Sequence, residues 1–261
     1  MKSVMIGLAA LALVAVAPGA FAQDDMTQIR VAHLSPDAPN VDVWVDGSVA
    51  LEDVPYEAVS GYLELAAGDH RIQITPTGAS EPIVIDATVT FEAGEAYTVA
   101  ATGLLGEDDL SPVVLEDDLS TSEDQAKVRF VHASPDAPSV DVAVASGPVL
   151  FADVPFREGS DYAAVDPATY DLEVRPAGTA DVALNVPGVT FEASTNYTIF
   201  AIGQLGEETL AALPVVDAQA TSESMTAAAT TAGAGMSAGV TAVIIGLALL
   251  GAVIGGRMLL S

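Results

Sequence analysis

The stretch RVAHLSPDAPNVDVWVDG (Arg30–Gly47) returns about a hundred residues later as RFVHASPDAPSVDVAVAS (Arg129–Ser146). Read with period two, Ile29, Val31 and His33 share one face of a strand, and Val128, Phe130 and His132 match them. Pro36 and Pro39 then forbid regular pairing and stiffen the chain where it leaves the sheet. Asp37 lies between them, where its carboxylate can accept backbone N–H groups and close an Asx-type turn, and Ser35 can act in the same way. His33 is expected to donate to a loop carbonyl or an aspartate while its ring packs on the rim of the core. After the corner, Val41, Val43 and Val45 alternate with Asp42 and Trp44, which is the start of a second strand. The phrase reads as a self-contained corner of a β fold, built twice.

The rest of each half agrees. DVPYEAVSGY (Asp53–Tyr62) matches DVPFREGSDY (Asp153–Tyr162), and VTFEAGEAYTVAATGLLGE matches VTFEASTNYTIFAIGQLGE. Further alternation, as in HRIQIT (His70–Thr75), is punctuated by turn signals such as TPTG and EAGE. About seven short strands are expected per copy, and no segment has a helical period of useful length. The predicted fold class is all-β: two tandem immunoglobulin-like β-sandwich domains, residues 27–116 and 127–217, with a small barrel as the alternative for each. An acidic linker, 117–126, joins them.

These residues carry a resemblance. VHASPDAPSVDV, the DVPF…SDY segment, the PATYDLEVRPAG hairpin and VTFEASTNYTIFAIG together resemble the DUF4397 family of bacterial and archaeal secreted proteins. Both halves match over most of their length. The family is named for lacking a known function, so the resemblance implies extracytoplasmic β-domains and little chemistry. The first copy departs from the second at His70, where the second has Tyr170, and the second has Ser194-Thr195 in place of Gly94-Glu95.

The two ends predict where the protein sits. Lys2, an apolar run and Ala20-Phe21-Ala22 form a secretory signal over residues 1–22, cut before Gln23. Residues 236–256 hold no charge and are long enough to span a bilayer, with Arg257 opening a short cytoplasmic tail, 257–261. An Ala/Thr/Gly-rich stalk, 218–235, precedes the span. The expected product is a single-pass cell-membrane protein with extracytoplasmic domains.

Composition narrows the function further. The chain has 36 acidic and eight basic residues, a formal charge of −28, and no cysteine. Such a surface repels nucleic acid, and apolar burial must hold the fold without disulfides. Each copy offers one matched histidine and no second nitrogen or sulfur ligand, so no zinc set is expected. No nucleophile elbow, zinc-protease helix or phosphate loop is present. No catalytic residue, cofactor-binding residue or metal ligand is therefore assigned, and no cofactor is expected. Calcium is the exception to weigh. The acidic runs Glu107–Asp109, Glu116–Asp124 and Glu207–Glu208 could offer oxygens, against the plainer reading of solvated, self-repelling loops. Trp44, the only tryptophan, falls on the solvent side of its strand, as a sugar platform or as a ring buried under a loop. Asn196 opens a formal glycosylation sequon inside a predicted strand. The function expected is a non-catalytic envelope module, its partner an envelope protein or polysaccharide; the alternative is a ligand- or calcium-binding receptor component.

Overall fold

The structure is a computed structural model that describes residues 25–220. The expected signal peptide (1–22), membrane span (236–256) and tail (257–261), and the expected stalk beyond residue 220, lie outside these residues. Among the described residues no helix is long and apolar enough to cross a membrane.

The first copy folds into β1 (Met26–His33), β2 (Val41–Val45), β3 (Ser48–Val54), β4 (Leu63–Ala66), β5 (Gly68–Pro76), β6 (Ile85–Phe91), β7 (Ala96–Thr102) and β8 (Ser111–Asp117). The second repeats them as β9 (Ala126–His132), β10 (Val140–Val144), β11 (Val149–Val154), β12 (Ala163–Val165), β13 (Ala168–Pro176), β14 (Leu184–Phe191), β15 (Thr195–Ile202) and β16 (Ala211–Gln219). Each copy thus has eight strands rather than seven.

Every copy is a sandwich of two open four-stranded sheets, not a barrel. The sheet orders are β4-β1-β7-β8 and β3-β2-β5-β6 in the first, β12-β9-β15-β16 and β11-β10-β13-β14 in the second. This corrects the immunoglobulin-like expectation. In that fold the first two strands lie in one sheet; here β1 and β2 lie in opposite sheets. The reason is the proline corner. With Pro36 and Pro39 barred from a hairpin, the chain crosses from one sheet to the other. The first strand is then free to pair in parallel with β7 (Gln28↔Ala96 through His33↔Ala101) and antiparallel with β4. The second copy pairs β9 with β15 in the same way.

Between the sheets lie two equivalent cores. Ile29, Val31, Val41, Val43, Ile72, Ile74, Phe91, Tyr97 and Val99 build the first. Val128, Phe130, Val140, Val142, Leu172, Phe191, Tyr197 and Ile199 are among those that build the second. The valines and isoleucines singled out by alternation are these residues.

A third core joins the copies. Ala32, Leu34 and Ala100 from the first pack on Val131, Ala133, Phe200 and Ile202 from the second, flanked by Val113, Leu115, Leu213 and Val215. The molecule is a four-layer stack, with the β4-β1-β7-β8 and β12-β9-β15-β16 sheets face to face in the middle. Sheets covered on both faces have strands that lose their alternation. Accordingly every residue of β7 and of β15 is buried.

Candidate functional site

Buried charge lies at the centre of the stack. Arg30 and Arg129 leave the middle of β1 and β9 on the faces turned toward the other copy. Arg30 donates from Nε to Thr98 Oγ1 (2.8 Å), from Nη1 to the Val216 carbonyl (3.3 Å) and from Nη2 to Asp217 Oδ1. Arg129 repeats this toward Thr198, the Glu116 carbonyl and Asp117. The aspartates are closed by hydroxyls of their own copy. Thr98 and Tyr62 donate to Asp117 at 2.6 and 2.7 Å, and Thr198 and Tyr162 donate to Asp217 at 2.7 Å each. Each guanidinium also lies over its tyrosine ring, 4.9 Å from Tyr62 and 4.8 Å from Tyr162. Burial opposes the charge on Arg30, but Asp217 and Asp117 outweigh it and hold its pKa above the usual value. Burial, together with the carboxylates, pushes the Tyr62 and Tyr162 phenols well up, against the pull of the arginines. The two copies are thereby locked by a crossed pair of ion pairs with no water-facing member: Arg30 is 2% exposed and both carboxylates are fully covered.

Sequence reasoning missed this network. The signal was present: an arginine opens both copies of the repeated phrase, in a chain with eight basic residues, and the aspartates recur a hundred residues apart. Asp117, the first residue of the expected linker, is instead the buried last residue of β8.

The histidine corners behave largely as expected. His33 donates from Nε2 to the Pro39 carbonyl, and His132 to that of Pro138, both at 3.0 Å. The remaining ring nitrogen has no partner in His33, and in His132 it accepts the Ser134 amide at 3.3 Å. Burial holds both imidazoles below their usual pKa despite the carbonyls. Asp37 differs from expectation in its partners. It reaches across to the 3-10 turn at Leu105–Glu107 and accepts the Leu105 and Gly106 amides at 2.8 and 2.7 Å; Asp136 does the same at Leu205 and Gly206. The corner is therefore closed by residues from the far end of the copy. These corners lie at the same end of the stack as a second set of contacts between copies. There Arg157 donates to Thr102 Oγ1 (3.1 Å) and pairs with Asp109, while Tyr56 reaches the Gly203 backbone, its phenol pushed up by burial to about 12.

The linker crosses the opposite end, and it is not a free hinge. Asn196 donates from Nδ2 to the carbonyls of Asp118 (2.6 Å) and Ser120 (3.0 Å). Ser194 donates to that of Glu123, and Lys127 pairs with Asp118 at 2.6 Å. Asn196 is 0% exposed, so its sequon is closed to glycosylation in the folded protein. Beside the linker lies a cavity of about 710 Å³ lined by Glu64, Glu95, Glu116, Asp118 and Asp161, among others. Among the described residues no three His, Asp or Glu side chains converge as a metal-holding group. In the acidic runs, Asp109 pairs with Arg157, Asp117 with Arg129 and Asp118 with Lys127.

Trp44 is half-buried on its strand. Its Nε1 donates to Thr75 Oγ1 at 3.0 Å, across from β2 to β5. Thr75, on the solvent side of the sheet, is nevertheless only 2% exposed. Cross-strand pairing sets Val49, Trp44, Gln73 and Asp86 in one row over β3, β2, β5 and β6. Arg71 sits one step away and pairs with Asp86 at 2.5 Å. In the second copy the row reads Val149, Ala143, Glu173 and Asn185, and Glu173 is engaged by Arg175.

Architecture and sites define a tandem β-sandwich protein whose buried polar side chains are engaged in building its own joints. The chain belongs to the family described as a domain of unknown function, DUF4397, whose sequence profile matches residues 27–143 and 126–239. No curated protein matches it. Among solved structures, the family CBM26 carbohydrate-binding module from Eubacterium rectale Amy13K, solved in complex with maltoheptaose, is similar at a TM-score of 0.23 and 11% identity. That likeness spans 75% of this chain and 98% of the other. At so low a score it carries no conclusion about fold or ligand.

Proposed function

We propose that the protein is a non-catalytic module of a bacterial or archaeal cell envelope, held by one C-terminal membrane span and presenting two sandwich domains for interaction. The observation that carries this reading is the use made of its reactive side chains. Both matched histidines are committed to prolyl carbonyls, and the buried arginines and aspartates to one another. A catalytic group must face a cleft and a reacting atom, and these groups face joints. The apolar ends of the sequence support the envelope setting, and the acidic surface supports a partner that is neither nucleic acid nor anionic lipid.

The test is fractionation of the native cells followed by protease treatment of intact cells. The chain should sediment with membranes, and external protease should release the two domains as one fragment. Recovery in the soluble fraction, or full protection in intact cells, sinks the envelope reading.

A further inference from the structure

We infer that the joint between the copies is a heterospecific docking surface: the inner face of the first copy accepts a domain of the second copy's kind and rejects its own kind. The partner it fits is the C-terminal half of this chain.

The buried charges by themselves do not discriminate. Arg30 reaches Asp217 and Arg129 reaches Asp117, a reciprocal arrangement of the kind found in two-fold, self-complementary interfaces. Any two copies, like or unlike, could make it. Discrimination comes from the segment after the proline corner, where the copies share a backbone but not their side chains. Glu57 and Arg157 are both left-handed, at φ 70° and 68°. Their amides bond the His33 and His132 carbonyls at 2.9 and 2.8 Å, and Val59 and Gly159 bridge to Ala32 and Val131. A side chain exchanged between the copies here starts from the same place.

The first difference is charge. Arg157 of the second copy meets Asp109 of the first, Nη1 to Oδ1 at 3.2 Å and Nη2 to Oδ2 at 3.1 Å, and its Nε donates to Thr102 Oγ1 at 3.1 Å. A first copy set in the place of the second brings Glu57 to this point, and like charges replace an ion pair. A second copy set in the place of the first brings Thr209 for Asp109 and Ile202 for Thr102, and Arg157 loses both of its side-chain partners. The second difference is size. A Cβ at Gly159 would lie 3.3 Å from Leu115 Cδ2 of the first copy and 3.3 Å from Val131 Cγ2, so the glycine makes room for that leucine. Between two first copies the leucine meets Val59 and the seam is overpacked. Between two second copies the shorter Val215 meets Gly159 and leaves a void.

Charge and size rank the pairings in the same order. Unlike copies fit and like copies do not, so neighbouring chains close each on itself rather than joining first copy to first copy.

The full chain, purified in detergent with a protease site inserted between Thr121 and Ser122, is cut while folded. The cut complex is left in mild urea to exchange its halves, and native mass spectrometry reads the mass of every pair that re-forms. About nine pairs in ten should contain one half of each kind. The random proportion, in which half of the pairs are mixed, overturns the inference, and so does the absence of any pair. Glu57→Arg with Val59→Gly should bring out pairs of two first halves, because that half then offers another the arginine and the glycine that suit Asp109 and Leu115. If those halves still form mixed pairs and no pairs of their own kind, the assignment to these residues falls. Arg157 lies outside both sandwich cores, so Arg157→Glu decides the matter even where the double variant does not fold: it should lower the share of mixed pairs, and an unchanged share overturns the role given to charge.

Discussion

Asp217→Ala removes one corner of the buried charge network, and the structure allows its cost to be worked out. The carboxylate accepts from Arg30 Nη2, Thr198 Oγ1 and Tyr162 Oη. Without it, Arg30 keeps a full charge at 2% exposure. Its remaining carboxylate is Asp117, 3.5 Å from Nε and already engaged by Arg129. Two arginines then share one aspartate in a dry seam, and two hydroxyls lose their acceptor. Breaking a buried pair by removing one partner destabilises by about 3–5 kcal/mol. That is a large share of the roughly 5–15 kcal/mol available to a folded protein. Urea denaturation of wild type and variant, followed by circular dichroism, measures the loss. Replacing Arg30 and Asp217 together by Met and Leu removes the stranded charge and should recover a good part of it. A loss under about 1 kcal/mol for the single variant would refute the claim that the seam is dry and the pair locks the copies.

Three further outcomes follow from the same geometry. His33 and His132 are held neutral by burial, with folded pKa values below the unfolded value of about 6.5. Their contribution is therefore complete above that pH and lost as pH falls below it, and the melting temperature should drop as pH falls below about 6.5; His33→Asn with His132→Asn should flatten that slope. His70 has the opposite sign: burial lowers its pKa, but the Ala66 carbonyl and Asp46 outweigh it and raise it. Its contribution is present below about pH 6.5 and lost as pH rises through the folded value, and His70→Tyr, copying Tyr170 with its bond to the Asp166 carbonyl, should abolish that dependence in a melt without loss of fold. Gly103 sits at φ +97°, where a Cβ would press on the Asp109 carbonyl, whereas Gly47 at φ +79° has open space. Gly103→Ala should thus lower stability by well over the ~1 kcal/mol expected for Gly47→Ala in the same denaturation assay.

The outer sheets were legible because one face of each is wet. Alternation in Val41–Val45 and His70–Thr75 assigned inner and outer positions that the structure keeps. The inner sheets were less legible, because β7 and β15 are buried on both faces and carry no alternation to read. The strand order was hidden as well: period two says which face a residue takes, not which neighbour a strand pairs with, and Pro36 and Pro39 were needed in three dimensions to exclude a β1–β2 hairpin. Arg30 and Arg129 escaped because arginine in a strand reads as a solvent-facing residue. Only the partner's aspartate, some 187 residues away for Arg30, explains it. The linker was misread for a related reason. A run of carboxylates looks self-repelling until Lys127, Ser194 and Asn196, where the first copy has Gln28, Gly94 and Ala96, are seen to grip its backbone and Asp118.

The final strand has a mechanical consequence. β16 runs antiparallel to β15 through eight paired positions, from Ile202↔Ala211 to Thr195↔Gln219, and its last residue lies at the end of the stack opposite the proline corners. If the chain is held through its C-terminal end as proposed, a pull beyond Gln219 acts on this strand along its own axis. The ladder is then loaded in shear, all rungs sharing the force, rather than unzipped one rung at a time. A weight hung on the far outer layer would have to be transmitted through three stacked interfaces, the middle one riveted by opposite charges, before the anchor strand could slide.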